Sequence, residues 1–208
     1  MTSRQAGRVG TSTRILDISE RVVQTKGFGC FSYADVAADL KITRAALHYH
    51  YPGKAELGEA LIKRYSVRFD DALGAIESAG EAALAKLDAY IGLYADIVSQ
   101  RRMCLCGMLA AEYETLPAPM QAEVVRFLDR NAHWLERVLE QGRSEGTMRL
   151  GGSASDTALL IVSALEGAML VARPYGDIEK FRSTAAAMLS SLYGTHEPTR
   201  PAEPAGPG

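Results

Sequence analysis

The chain has 208 residues, of which 47% are apolar, and a formal net charge of −2. That length admits one large core or a small module fused to a larger one, and that apolar content excludes a mainly disordered chain. Through residue 55 eight basic side chains stand against four acidic ones, whereas the remainder holds 15 basic and 21 acidic, so a basic head precedes an acidic body and only the head suits a polyanion.

No membrane span is expected. The most apolar stretch, Ala158 to Ala172, carries Glu166 in its middle. Arg4, Arg8, Arg14 and Asp17 break up the first thirty residues, leaving no apolar core for a secretory leader, so a cytoplasmic protein is expected. Cys30, Cys104 and Cys106 are odd in number and irregular in spacing, which argues for free thiols and against a disulfide framework or a four-ligand zinc site.

In chain order, residues 1–11 read as a disordered arm. Ile15, Ile18 and Val22 recur at helical spacing, and Gly27 follows as a C-terminal glycine would, which predicts a helix over 12–26. Ser32 can cap a second helix over 33–40, with Asp35 three residues on. Thr43 can cap a third, Arg44 to Tyr51, which Pro52-Gly53 terminates. Two short helices joined by a tight turn make a helix-turn-helix, so residues 12–55 form the head. A long helical pattern starts after Lys54, and joins the head to a body over 56–193 without a loose linker.

The body reads as further helices over 81–101, 104–115, 118–145, 155–172 and 178–193. No alternating apolar and polar run bounded by turns appears, so the fold class is all-α, with about nine helices. The helix at 155–172 is apolar nearly all round, and the last one carries many small residues; together they can serve either as monomer core or as a self-association face. Residues 194–208, rich in proline and glycine, read as a disordered tail.

Chemistry concentrates in TRAALHYHYPGK, residues 43–54. On a helix His48 and His50 point about 200° apart, so one ion cannot bind both, and one turn leaves no room for a third ligand. No serine, cysteine or acid neighbours the histidines in sequence to complete a nucleophile and base pair. The pattern fits a DNA-reading helix better: Thr43 and Arg44 lie at its N-terminus, where side chains of a recognition helix meet base edges. Arg44 carries the donor fork that suits a guanine edge, Tyr49 and His50 can donate to phosphate, and Lys54 adds a point charge.

The stretch from residue 13 to 62, with Lys26-Gly27-Phe28, Val36-Ala37, Leu47, Tyr49-His50 and Lys54, resembles the N-terminal DNA-binding domain of the TetR family of one-component repressors. It departs from the family pattern at Lys41, where glycine is usual, at His48, where tyrosine is usual, and at Tyr51, where phenylalanine is usual. The resemblance implies DNA contacts from Thr43, Arg44, Tyr49, His50 and Lys54, with Ser32 and Tyr33 reaching phosphate; His48 marks the position where base preference can differ. It also implies a homodimer formed through the last two helices, double-stranded palindromic operator DNA as partner, and a small-molecule effector whose binding releases the operator.

Within the body, Cys104-Leu-x-Gly-x-Leu-Ala-x-Glu112 resembles a stretch of one family branch that answers to electrophiles through a cysteine. Cys104 is expected where a helix begins, beside Arg101 and Arg102, which would lower its thiol pKa; the alternative is that Cys104 and Cys106 are small apolar fillers. A noncovalent effector pocket can draw on Tyr90, Tyr94, Met108, Glu112, Phe127, Trp134, Glu166 and Met169. Glu112 and Glu166 stand out because a carboxylate inside an apolar pattern must find a partner. No cofactor, metal or catalytic site is expected. Two other readings stay open, a DNA-binding protein without an effector and a small helical enzyme built around the Cys104 or Glu112 region.

Overall fold

A computed structural model describes residues 3–192, with side chains from Gly10 onward. Helix caps set the frame of its N-terminal third. Ser32 Oγ accepts from the Asp35 N–H at 3.2 Å and donates to Asp35 Oδ2 at 2.6 Å, opening one helix; Thr43 Oγ1 accepts from the Ala46 N–H at 3.1 Å, opening the next. Among the described residues there are nine α-helices and no strand: α1 Ser3–Lys26, α2 Tyr33–Leu40, α3 Arg44–His50, α4 Lys54–Ser78, α5 Ala83–Ser99, α6 Leu105–Ala111, α7 Ala118–Ser144, α8 Ala154–Ala172 and α9 Ile178–Leu192.

Two expectations need correction. The arm expected to be disordered over 1–11 is helical from Ser3. It contains no proline, and Arg, Gln and Ala extend a helix already nucleated further on at little cost. The single helix expected over 104–115 is broken: α6 ends at Ala111, and a 3-10 turn, Tyr113–Thr115, follows. Glu112 leaves helical geometry between them, at φ −108 and ψ 14. The tail at 194–208 lies outside the described residues.

Phe28, Phe31, Val36, Leu40, Leu47 and Leu57 are buried in the head. Leu47, with 0% of its surface exposed, holds α3 in the core of the head beside α2, and burying one such side chain stabilises by about 1.5–3 kcal/mol. The head also grips α4 electrostatically. Arg64 donates to Asp17 at 2.7 Å and to Glu20 at 2.8 Å, and Arg68 donates to the same Glu20. Glu20 is almost wholly buried, so the two guanidiniums neutralise a charge that would otherwise be costly.

The body closes around α7 and α8. Phe69 and Phe127 meet at 5.2 Å between ring centroids, and Tyr90 stacks on Trp134 at 5.5 Å. Helix α8 is long and apolar enough, by length and composition, to cross a membrane, yet it packs between α7 and α9. Leu159, Leu160, Leu170 and Val171 on its outer side are 56–62% exposed, an apolar face that nothing within the monomer covers.

Candidate functional site

Helix α3 leaves several of the expected contact residues facing outward. Thr43, Arg44, His48 and Tyr49 are exposed, Tyr49 to 65% of its surface, and the Tyr49 and His50 rings meet edge to face at 5.6 Å. Other members of the expected contact set are engaged inside the head. The Tyr33 hydroxyl donates to the Tyr51 carbonyl at 3.0 Å and the Gly53 carbonyl at 2.5 Å. Burial, and after it the charge of Glu56, pushes this phenol up to about 12, so it stays a donor and staples the turn between α3 and α4.

His48 packs its ring on Tyr33 at 4.8 Å, and its Nδ1 lies 3.0 Å from the Pro52 carbonyl. Its other nitrogen alone is left for an outside partner. Lys54 sets its ammonium over the Phe28 ring at 4.6 Å and the Phe31 ring at 5.6 Å; burial lowers its pKa, with Glu112 opposing that shift. Lys41 closes α2 in the left-handed region, φ 55, which explains why a glycine is the easier residue there. Tyr51, in place of a phenylalanine, uses its hydroxyl on Ser12 Oγ at 2.8 Å and so ties α1 to the turn after α3.

Glu112 proves to be a strut between body and head. Its Oε1 accepts from the Phe28 N–H at 2.9 Å and its Oε2 from the Gly29 N–H at 2.6 Å. Gly27, at φ +90, makes room for it: a Cβ there would stand 2.2 Å from Glu112 Oε1. Two more body groups hold the same end of α1. The Met103 N–H donates to the Gln24 carbonyl at 3.1 Å, and Arg173 Nη2 donates to the Thr25 carbonyl while its Nη1 reaches Met108 Sδ at 3.6 Å. Met103 and Arg173 carry no sequence signal for this role, because a backbone donor and a lone arginine after an apolar helix look like many others.

Two cavities flank Met103. One of about 410 Å³ lies among α6, α7 and α8, lined by Met108, Leu128, Val162 and Glu166; another of about 570 Å³ reaches from Val98 to Ile178 and includes Met169. Glu166 presses on α6 so closely that a Cβ on Gly107 would lie 2.1 Å from its Oε2, while its Oε1 is buried without a hydrogen-bond partner. Burial pushes this carboxyl up to about 7, the Cys104 thiol opposing the shift through a hydrogen bond.

Of the other expected effector residues, Tyr90, Tyr94 and Phe127 are 0–1% exposed. Their rings form one aromatic core with Phe69, and the Tyr90 hydroxyl donates to Asn131 Oδ1 at 3.2 Å. Trp134 stacks on that core and edges a shallow groove between α4 and α7.

Cys104 does begin α6, but the expected lowering of its thiol pKa does not follow. It is 0% exposed, and burial, then the charges of Glu166 and Cys106, push it well above its ordinary value. Burial does the same to Cys106. Arg101 and Arg102 stand at the mouth of the neighbouring cavity and are not among the groups that shift it. Cys30 is the exposed thiol.

A helix-turn-helix on a basic head, riding on an all-helical body, defines a DNA-binding regulator. Residues 15–61 match the model described as bacterial regulatory proteins, tetR family, and residues 83–188 match the tetracyclin repressor-like, C-terminal domain. The chain belongs to the TetR family of transcriptional regulators. A TetR-family regulator from Agrobacterium tumefaciens is 29% identical, with 90% of this chain and 100% of that one covered and a TM-score of 0.87. A TetR regulator from Legionella pneumophila is 30% identical over 86% of this chain and 95% of its own, with a TM-score of 0.75. The regulatory protein TetR from Rhodobacter sphaeroides, 19% identical over 86% of this chain and 97% of its own, shares the fold at a TM-score of 0.80. No curated protein matches the chain.

Proposed function

We propose that this protein is a cytoplasmic, ligand-responsive repressor that binds a palindromic operator as a homodimer and leaves it when a small molecule occupies the C-terminal domain. The observation that carries this reading is the triple attachment of body to head. Met103, Arg173 and Glu112 all hold residues 24–29, and Met103 lines both cavities. A ligand that repositions Met103 therefore acts directly on the end of α1.

On the DNA side, Arg44 reads a base edge, Thr43, Tyr49 and His50 hold phosphate, and Ser32 and Lys54 flank them; Tyr33 and His48 set the angle of α3 rather than carry the contact themselves. The exposed apolar face of α8, with α9 beside it, supplies the two-fold interface, since such a face is costly in water and a symmetric dimer covers it on both copies. Effector capture is noncovalent in this reading, with Met108, Glu166 and Met169 as lining. Sensing of an electrophile by Cys104 requires α6 to open first, because the thiol is buried and held protonated.

The test is operator binding over the protein's own promoter region, followed by two variants. Arg44→Ala should cost about 1–3 kcal/mol and relax preference at one base pair, whereas Lys54→Ala should weaken all sequences alike and flatten the salt dependence. Unchanged affinity in both variants would sink the DNA-binding assignment of α3.

A further inference from the structure

The larger of the two cavities has a chemistry of its own. Its apolar floor is built from Val98, Met103, Met169 and Ala172, and its rim carries Arg101, Arg102 and Arg173 against one carboxylate, Asp177. Asp177 Oδ1 already accepts from the Glu179 N–H at 2.9 Å. Arg101 and Arg102 enter none of the ion pairs found among the described residues. Arg101 also adopts φ 57, a conformation that costs a residue with a side chain about 1–2 kcal/mol. It brings Nη2 to 3.9 Å from where a Cβ on Gly176 would stand, across the mouth of the cleft. Three guanidiniums round one opening repel one another, and each presents a planar fork that matches a carboxylate.

We infer that this cleft binds a small amphipathic carboxylate, its apolar chain on Val98, Met103 and Met169 and its anionic end among Arg101, Arg102 and Arg173, and that this anion competes with the Thr25 carbonyl for Arg173. The binding claim stands on the cleft alone. Its consequence, release of the operator when Arg173 lets go of α1, rests on the repressor reading above. A carboxylate is a stronger acceptor than a peptide carbonyl for the same guanidinium, so an anion that draws Arg173 into the cleft weakens its bond to the Thr25 carbonyl and loosens the end of α1. The floor excludes ligands that are only charge, and the rim excludes ligands that are only chain.

The test uses the full-length protein without DNA and measures heat of binding for octanoate, octanamide and acetate. Octanoate should bind about tenfold or more tightly than either the neutral amide or the short acid. The double variant Arg101→Gln/Arg102→Gln should lose about tenfold in octanoate affinity at an unchanged melting temperature. Equal binding of octanamide, undiminished binding to the double variant, or no saturable octanoate binding overturns the site. Operator affinity is then followed by fluorescence anisotropy. Octanoate should weaken it in the wild type and leave it unchanged in Arg173→Gln. Octanoate that binds while wild-type operator affinity stays constant overturns the competition for Arg173. A chain that binds octanoate but no operator sinks the repressor reading and leaves the site standing.

Discussion

Replacing Glu112 with alanine removes both acceptors that the end of α6 offers to the turn after α1. The Phe28 N–H at 2.9 Å is part-buried and the Gly29 N–H at 2.6 Å is exposed, so the two bonds are unequal. A hydrogen bond to a charged group contributes about 1.5–3 kcal/mol; counting the Phe28 bond nearly in full and the water-accessible Gly29 bond at little gives about 2 kcal/mol. Local opening of the turn between α1 and α2 should then rise about 30-fold, since 1.36 kcal/mol is tenfold. Amide hydrogen exchange reads this directly: Phe28 and Gly29 should exchange about 30-fold faster, while the Asp35 amide, bonded to Ser32 Oγ, should not change. Exchange at Phe28 and Gly29 that stays within about threefold of the wild type would refute Glu112 as a strut and leave Met103 and Arg173 as the polar holds on the end of α1.

Lys41→Gly should stabilise the protein by about 0.5–1 kcal/mol in chemical denaturation, because relief of the left-handed strain outweighs the extra freedom of glycine in the unfolded chain; a loss of stability would show that the Lys41 side chain contributes more than its backbone costs. A disulfide reagent should modify Cys30 alone in the native protein, with Cys104 and Cys106 reacting only on unfolding; rapid native labelling of Cys104 would revive the electrophile sensor. The carboxyl of Glu166 is raised to about 7 by burial, above the roughly 4.3 of an unfolded glutamate. The folded state therefore holds this proton more tightly. The stabilisation is fully present below about pH 4 and is lost as pH rises through about 7. Glu166→Gln should flatten stability between about pH 5 and 8 relative to the wild type, and parallel curves for the two proteins would contradict the burial assigned to that carboxyl.

Much of the head was legible because its signals are local. Ser32 and Thr43 name their own caps three residues ahead, Leu47 sits in a short apolar spacing, and Pro52-Gly53 ends α3 wherever the rest of the chain lies. The uses of Tyr33 and His48 were not legible, since their partners are the carbonyls of Tyr51, Pro52 and Gly53, and carbonyls are the same in every residue. The same blindness governed Cys104. A position at a helix start beside two arginines lowers a thiol pKa only if water and those charges reach it, and burial among Tyr65, Cys106 and Glu166 reverses the sign. Glu112 reads in sequence as a carboxylate needing a partner and an effector contact, whereas the partner it has lies 84 residues back in the chain, at Phe28, a separation no periodicity reports.

The head is held in two ways that respond differently to force. Toward α4 it is fixed by Glu20 between Arg64 and Arg68 and by the continuous helix that starts at Lys54. Toward α6 and α8 it is held by three polar contacts at residues 24–29, each ending on a cavity wall or one residue from the end of a wall helix. A hundredfold release of operator requires a coupling of about 2.7 kcal/mol between effector and DNA sites. Polar contacts of this kind contribute about 1–2 kcal/mol each, so losing one gives a partial release and losing about two is needed for the hundredfold one. The apolar core of the head, with six large side chains at about 1.5–3 kcal/mol each, is stronger in sum and need not be disturbed. Variants that weaken this core, such as Leu47→Ala at about 2–5 kcal/mol, should therefore unfold the head, whereas variants at the polar contacts should leave it folded.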